Sequence, residues 1–508
     1  MPVFEEEQSE SCTDVDAMDE EAERTQNTSD QGQVYDDGAP RTISLFEPSF
    51  DSRERNGSVF SAVFNLLSSM VGGGTLSLPY AFYKTGLVTG IIIMIIMALA
   101  ADFSVYALIS CSRKTGVNSL EEVTSEAFGH KMTAVITFIV GISCYLSLIG
   151  YAVLVRGIAG PIVDHYILSH DDLDANDEKM PSFTQNSIMV VFVMTVTPLM
   201  FLKSFSSLKI VGVISMMAIA ILGVCIAIRS TLCNLNTDVN NIEISGNWKN
   251  ILDSIPLFVC PFICHFNVLP IHKELENPSR GRIHSMVRYT IGCAAMFYIF
   301  VGVFGYFYGN CVDGIKGNIL LNFEPDDELM IFARCSLTIT ILSAFPMLVP
   351  PTLESFVRLY YISISCCRSK NKIENQDVPL LSEISSDGDA DVNDSKRNQE
   401  CEGKTKQAFK LVIFWSALFL ACFVESVTII WGVVGSCFAI CLGFIFPCGS
   451  YLVIKSKRAQ PLTDLVSDRN RDKKIYWSRC AAWTVLTLFI PLALMCTVNS
   501  VYNLFWKN

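Results

Sequence analysis

The sequence predicts an all-α polytopic membrane protein: 11 transmembrane helices, arranged as a 5+5 inverted repeat with discontinuous helices 1 and 6, followed by an eleventh helix. Three observations predict the polytopic class, and the breaks in spans 1 and 6 predict the repeat. Of 508 residues, 51% are hydrophobic and only 17% charged, with a mean hydropathy of +0.39. Apolar stretches of spanning length recur along the chain. Lys and Arg alternate from loop to loop, as they do when successive loops face opposite sides of a bilayer.

The apolar stretches lie at about 57–82, 86–111, 132–158, 187–202, 208–231, 251–272, 286–309, 330–358, 407–424, 427–454 and 480–505, the fourth being short. Basic residues mark the even-to-odd connections: Arg113, Lys114 and Lys131; Lys203 and Lys209; Lys273, Arg280, Arg282 and Arg288; and a dense group from Lys455 to Arg479. The opposite loops are acidic or neutral, with Asp171, Asp172, Asp174, Asp177 and Glu178 in one and Glu324, Asp326, Asp327 and Glu328 in another. The positive-inside rule therefore sets the N-terminus in the cytosol. The expected organisation is a disordered acidic cytosolic tail (1–56), a first five-helix repeat (57–231), an external loop (232–250), and a second five-helix repeat (251–454) holding a disordered cytosolic loop (369–406). A basic cytosolic loop (455–479) and the eleventh helix (480–505) complete it. The chain opens on a polar segment, so a cleavable signal peptide is not expected and the first helix would act as signal anchor.

Within the cytosolic loop after span 2, Ser119 and Glu122 have the spacing of a capping box and predict a short amphipathic helix. The formal charge of −12 sits largely in the N-terminal tail and around Asp377 to Asp394. No basic tract or stacking platform suggests nucleic acid. No nucleophile–base constellation or phosphate loop suggests an enzyme. Most of the 19 cysteines fall in apolar spans, where a thiol behaves as a small hydrophobe. Cys233 and Cys311 are the pair in external loops, and a disulfide between them is the hypothesis their placement raises.

Span 1 is interrupted by Gly72, Gly73, Gly74 and Thr75. Each glycine costs a helix about 1 kcal/mol relative to alanine. Broken backbone at membrane depth is tolerated where protein or a water-filled cavity satisfies its polar groups. The break exposes N–H groups at the positive end of the following half-helix, a place for a carboxylate. The competing reading is a crease that lets two helices approach. Span 6 carries Pro256, Pro261 and Pro270, which free carbonyls able to receive an α-ammonium group or a cation. A break in the first helix of each five-helix half is the mark of an inverted repeat.

In span 6, Phe262 and Phe266 are one turn apart and could wall an apolar side chain; the alternative is ordinary helix packing. His265 is an intramembrane ionisable residue, readable as a substrate-site residue, a proton carrier or a neutral strut between helices. Asp102, Arg156, Arg334 and, near a span end, Glu425 are further intramembrane charges, expected to face the bundle interior and pair. Thr338, Thr340 and Ser343 of span 8 could offer hydroxyls to Na+, or bond their own backbone.

The string Phe262-Ile-Cys-His-Phe-Asn-Val-Leu-Pro-Ile-His-Lys-Glu-Leu-Glu-Asn-Pro-Ser279 closely resembles the sixth-helix signature of the amino acid/auxin permease family, in its sodium-coupled neutral amino acid transporter branch. Phe64-Asn65, Gly72 to Gly74, Leu78-Pro79-Tyr80, Asp102-Phe-Ser104, Asn318-Ile-Leu320, Asp326-Asp327 and Trp431-Gly-Val-Val-Gly435 agree, and vacuolar relatives share the pattern. The resemblance covers about Gly57 to Trp506. It implies secondary active transport of small neutral amino acids by alternating access, without a resident cofactor, with Na+ or H+ as coupling ion. In sodium-dependent members a first-helix asparagine contributes to Na+ coordination; the matching position here is Ser68. Span 8 also departs, with Ala344-Phe-Pro in place of a threonine-containing pattern. Both departures weigh toward H+ coupling or exchange. An amino acid sensor signalling through its cytosolic tails is the second reading.

Asp377-Val-Pro-Leu-Leu381, with Leu380 and Leu381, resembles an acidic-dileucine sorting signal and would engage sorting adaptors. The Asn-X-Ser/Thr strings at Asn27, Asn56 and Asn393 all fall on the cytosolic side. Together these lean toward a vacuolar, lysosomal or other internal membrane over the plasma membrane.

Overall fold

The computed structural model describes residues 55, 57–163, 182–195, 197, 206–235, 243–312, 314–371, 392–457 and 469–506. The expected N-terminal tail and the dileucine string at Asp377, Leu380 and Leu381 lie outside the described residues.

Span 1 is a bent pair, α1 (Val59–Met70) and α2 (Leu78–Thr85), joined by a 3₁₀ turn (Gly73–Ser77). Its halves meet at 51°. Ser58 caps α1 by accepting from the Ser61 N–H at 3.1 Å. Ala62, Leu66 and Met70, four residues apart, form its buried face. Span 2 is α3 (Leu87–Thr115), followed by the short α4 (Leu120–Phe128). The predicted cap is in place: Ser119 Oγ accepts from the Glu122 N–H at 3.2 Å. Glu122 answers by accepting from the Asn118 N–H, one residue earlier than the standard box. Spans 3 and 5 are α5 (His130–Val163) and α7 (Ser206–Leu235). Span 6 is α8 (Trp248–Val259), a 3₁₀ turn (Cys260–Phe262) and α9 (His265–Glu274), and span 7 is α10 (Arg280–Gly309). Span 10 starts as α13 (Val427–Val433), passes through two π-helical segments (Val434–Ala439 and Cys441–Ile445) and ends as α14 (Phe446–Lys457). The last span lies in α15 (Arg469–Trp506).

Seven helical stretches among the described residues, span 6 among them, are long and apolar enough to cross a bilayer, and the bent pair of span 1 makes eight. The protein is thus an all-helical, multi-pass membrane protein. Eight of the eleven expected spans meet that measure among the described residues. The fourth and ninth stretches correspond to shorter apolar helices, Thr184–Met194 in α6 (Ser182–Met194) and Gln407–Ala421 in α12 (Val392–Ala421). The eighth falls inside the 44-residue α11 (Glu328–Asn371), whose side chains are described only in part. The stretch expected to be disordered is helical at its described ends, because α11 runs to Asn371 and α12 starts at Val392. Its Lys, Glu and Gln residues are good helix formers and extend the flanking apolar helices.

Two long helices, α5 and α11, pack along one another, and α10 runs against α1, α2, α3 and α7. Buried charge is spent on carbonyls. Arg334, 1% exposed, donates to Leu320 O and Phe323 O, both at 2.8 Å, and to Glu324 O at 3.3 Å. Arg156 in α5 donates to Asn186 Oδ1 at 2.9 Å, to Ala421 O, to Glu425 O and, more closely, to Val424 O. Arg229 of α7 meets Asp327 at 2.5 Å. Cys233 and Cys311 are joined as a disulfide, with Cα atoms 6.3 Å apart. At the opposite end, Gly57 and Leu275 form a parallel bridge: the Gly57 N–H donates to Glu274 O and the Glu276 N–H to Gly57 O, each at 2.9 Å.

Candidate substrate site

Helix α1 stops at Met70, and Val71 closes it with an N–H to Leu67 O at 2.9 Å. Gly72 is extended, and the chain re-enters helix through the 3₁₀ turn, where the Thr75 N–H reaches Gly72 O at 3.0 Å. Pro79 sits in the first turn of α2, where its missing N–H costs little. In span 6 the break comes after Phe262: Ile263 is extended and Cys264 leads into α9. The two breaks face each other, with Gly74 against the Pro261 ring.

Tyr151 of α5 covers the first break. Its hydroxyl lies 3.1 Å from where a Cβ on Gly72 would stand. A Cβ on Gly73 would fall 2.3 Å from Leu154 Cδ1, so a larger residue there requires the Leu154 side chain to move. Tyr151 is boxed edge-on by Phe345 of α11, at 6.2 Å between ring centroids, and by Trp431 of α13, at 5.8 Å. Three buried polar atoms in this region have no hydrogen-bond partner among the described residues: Thr75 Oγ1, Ser77 Oγ and Trp431 Nε1. Orphaned buried groups cost free energy unless something satisfies them. An aromatic box with convergent, unspent polar groups is the composition of a small-molecule site.

The residues singled out from sequence distribute as follows. Gly72, Gly73, Gly74 and Thr75 form the break as read. Phe262 and Phe266 do not stack one turn apart on a single helix, because the break at Ile263 and Cys264 separates them. Phe262 is wholly buried edge-on against Tyr298, 5.4 Å away, and the Tyr298 hydroxyl donates to Pro261 O at 2.9 Å. That span-6 carbonyl is therefore already engaged. His265, 1% exposed, has Nε2 3.0 Å from Ser104 Oγ of α3. Ser104 spends its one proton on Gly443 O in the π-helical part of span 10. Ser104 must then accept, which puts the His265 proton on Nε2 and leaves Nδ1 buried without a partner. Ser68 turns its hydroxyl to Asn65 O at 2.9 Å, its own backbone. Thr338 and Thr340 do likewise, to Arg334 O and Ser336 O. The Ser343 side chain lies outside the described residues.

Sequence reading missed Tyr151, Ser77 and Leu154 as site residues, and took Trp431 and Ser104 only as parts of motifs. The π-helical stretch of span 10, a feature frequent at functional sites, was not visible. It brings Gly435 so close to Pro256 O that a Cβ would stand 2.3 Å from that oxygen.

Two facing helix breaks under an aromatic box form the candidate site of this multi-pass membrane protein. Residues 55–489 match the family model described as transmembrane amino acid transporter protein, and the chain belongs to that family, the amino acid/auxin permeases. It is similar to amino acid transporter AVT6B of Arabidopsis thaliana, 29% identical over 58% of this chain and 65% of that one. Vacuolar amino acid transporter 5 of Schizosaccharomyces pombe is 26% identical over 58% of this chain and 68% of its own. Vacuolar amino acid transporter 6 of Saccharomyces cerevisiae is 23% identical over 86% of this chain and 99% of its own. This is a family of transporters, not enzymes.

Proposed function

We propose that the chain carries small neutral amino acids across an internal membrane by alternating access, through eleven spans arranged as a 5+5 repeat. The single observation that carries this reading is the pair of facing breaks beneath Tyr151, with Thr75, Ser77 and Trp431 holding unspent polar groups. The substrate carboxylate would lie on Gly72 to Thr75, at the positive end of the half-helix behind them. Tyr151 is placed to donate to it. Phe345, Trp431 and Leu154 would surround a short, uncharged side chain.

Coupling would use H+ or Na+. Serine at position 68, where sodium-dependent members carry asparagine, favours H+. Relatives named as vacuolar favour an internal membrane, and the Lys/Arg pattern favours an N-terminus in the cytosol. Family membership speaks for transport and leaves the sensor reading without a supporting observation. The test is flux of radiolabelled amino acids into proteoliposomes under Na+ or pH gradients. Absence of flux for all twenty, in either direction, overturns the proposal.

A further inference from the structure

A second cleft of about 490 Å³ lies at the end of α5 beyond the aromatic box, between that helix, the loop before α11 and the loop before α13. These loops belong to the side that the Lys/Arg pattern assigns as extracytoplasmic. Its polar lining carries both signs of charge: Arg156 and Lys316 against Glu425.

Arg156 is committed to the carbonyls of Ala421, Val424 and Glu425 and to Asn186, so it acts as a fixed positive charge and brace. Lys316 and Glu425 are not committed in this way. Lys316 Nζ donates to Leu321 O at 2.9 Å, which uses one of its three protons. Among the described residues nothing hydrogen-bonds the Glu425 carboxylate, and the Asn318 side-chain amide uses only its oxygen, on the Leu320 N–H at 3.1 Å. Gly157 and Gly160 leave the α5 wall low, and the remaining lining is mostly apolar. Leu154 lines the cleft and also packs on Gly73. One side chain therefore separates the cleft from the helix break.

We infer that this cleft is a capture site for zwitterionic α-amino acids. Lys316 Nζ and the Asn318 amide receive the carboxylate, and Glu425 receives the ammonium group. Recognition is confined to the groups that every α-amino acid shares, so the cleft tolerates many side chains and leaves selection to the enclosed site. A bound molecule moves inward when Leu154 swings off Gly73. This inference rests on the transport reading only for that last step; the cleft's binding stands apart from it.

Two measurements test it on the full chain. In equilibrium dialysis with radiolabelled L-alanine, a Glu425→Gln/Lys316→Gln chain binds one L-alanine fewer than wild type, and L-alanine methyl ester, lacking the carboxylate, does not compete for the lost site. Equal binding by the two chains overturns the capture site, whether or not wild type transports anything. In oriented proteoliposomes, Glu425→Gln raises the half-saturating L-alanine concentration roughly two- to fivefold from the cleft side, as expected for one partly exposed charge contact. The maximal rate and the value from the opposite side stay unchanged. A shift equal from both sides, or none, overturns it. Wild-type chains that bind L-alanine at the cleft but move no amino acid would refute transport and leave the cleft standing.

Discussion

His265 Nε2 and Ser104 Oγ stand 3.0 Å apart, with Ser104 handing its own proton to Gly443 O. One imidazole thereby ties spans 2, 6 and 10 at the level of a π-helical segment. Ser104→Ala strands a buried N–H and a buried carbonyl. It should lower stability by about 1–3 kcal/mol, read as a fall in the unfolding temperature of the purified protein. His265→Asn keeps a side-chain N–H and should preserve the pH profile of uptake. A flattened profile would instead make His265 a proton carrier.

The Tyr151 hydroxyl faces Gly72 without a hydrogen-bond partner among the described residues. Tyr151→Phe removes only that group. Substrate affinity should fall about tenfold, the effect of one lost hydrogen bond, while the unfolding temperature stays within a degree or two of wild type. KM measured in proteoliposomes checks the first, and a thermal melt the second.

Gly73 and Leu154 share space that cannot hold a further methyl group. Gly73→Ala should abolish uptake. Leu154→Ala in the same chain should restore part of it, since the colliding Cδ1 is gone. A double variant as inactive as the single one would mean that the break itself, not its clearance, has been lost.

Cys233 and Cys311 close a loop 78 residues apart in sequence. Chain entropy alone makes such a crosslink worth about 4 kcal/mol. Protease mapping without reductant should show one crosslinked peptide pair, and Cys233→Ala should lower the unfolding temperature by several degrees.

Ser68 is the position at which the proposed coupling ion can be tested. With serine in place of asparagine there, uptake should be equal in Na+ and choline media and should follow an imposed pH gradient. Ser68→Asn tests whether one side chain is enough to confer a Na+ requirement.

Features governed by local chemistry were readable without coordinates. Three glycines and three prolines located both breaks, Ser119 located a helix start, and loop composition paired two distant cysteines. What stayed hidden depends on approach across the bundle. Nothing local distinguishes Tyr151 from other span tyrosines until Gly72 lies beneath its hydroxyl. The one-turn spacing of Phe262 and Phe266 assumed continuous helix across Ile263 and Cys264, where the chain instead breaks, as the nearby prolines had already argued.

The two hydrogen bonds between Gly57 and the 274–276 segment join the chain just before span 1 to the chain just after span 6. Mechanically they act as a coupling rod: neither broken helix can tilt at that end without dragging the other. Residues 1–56 attach directly to this rod, so a tether on that tail would exert its pull on both helices at once.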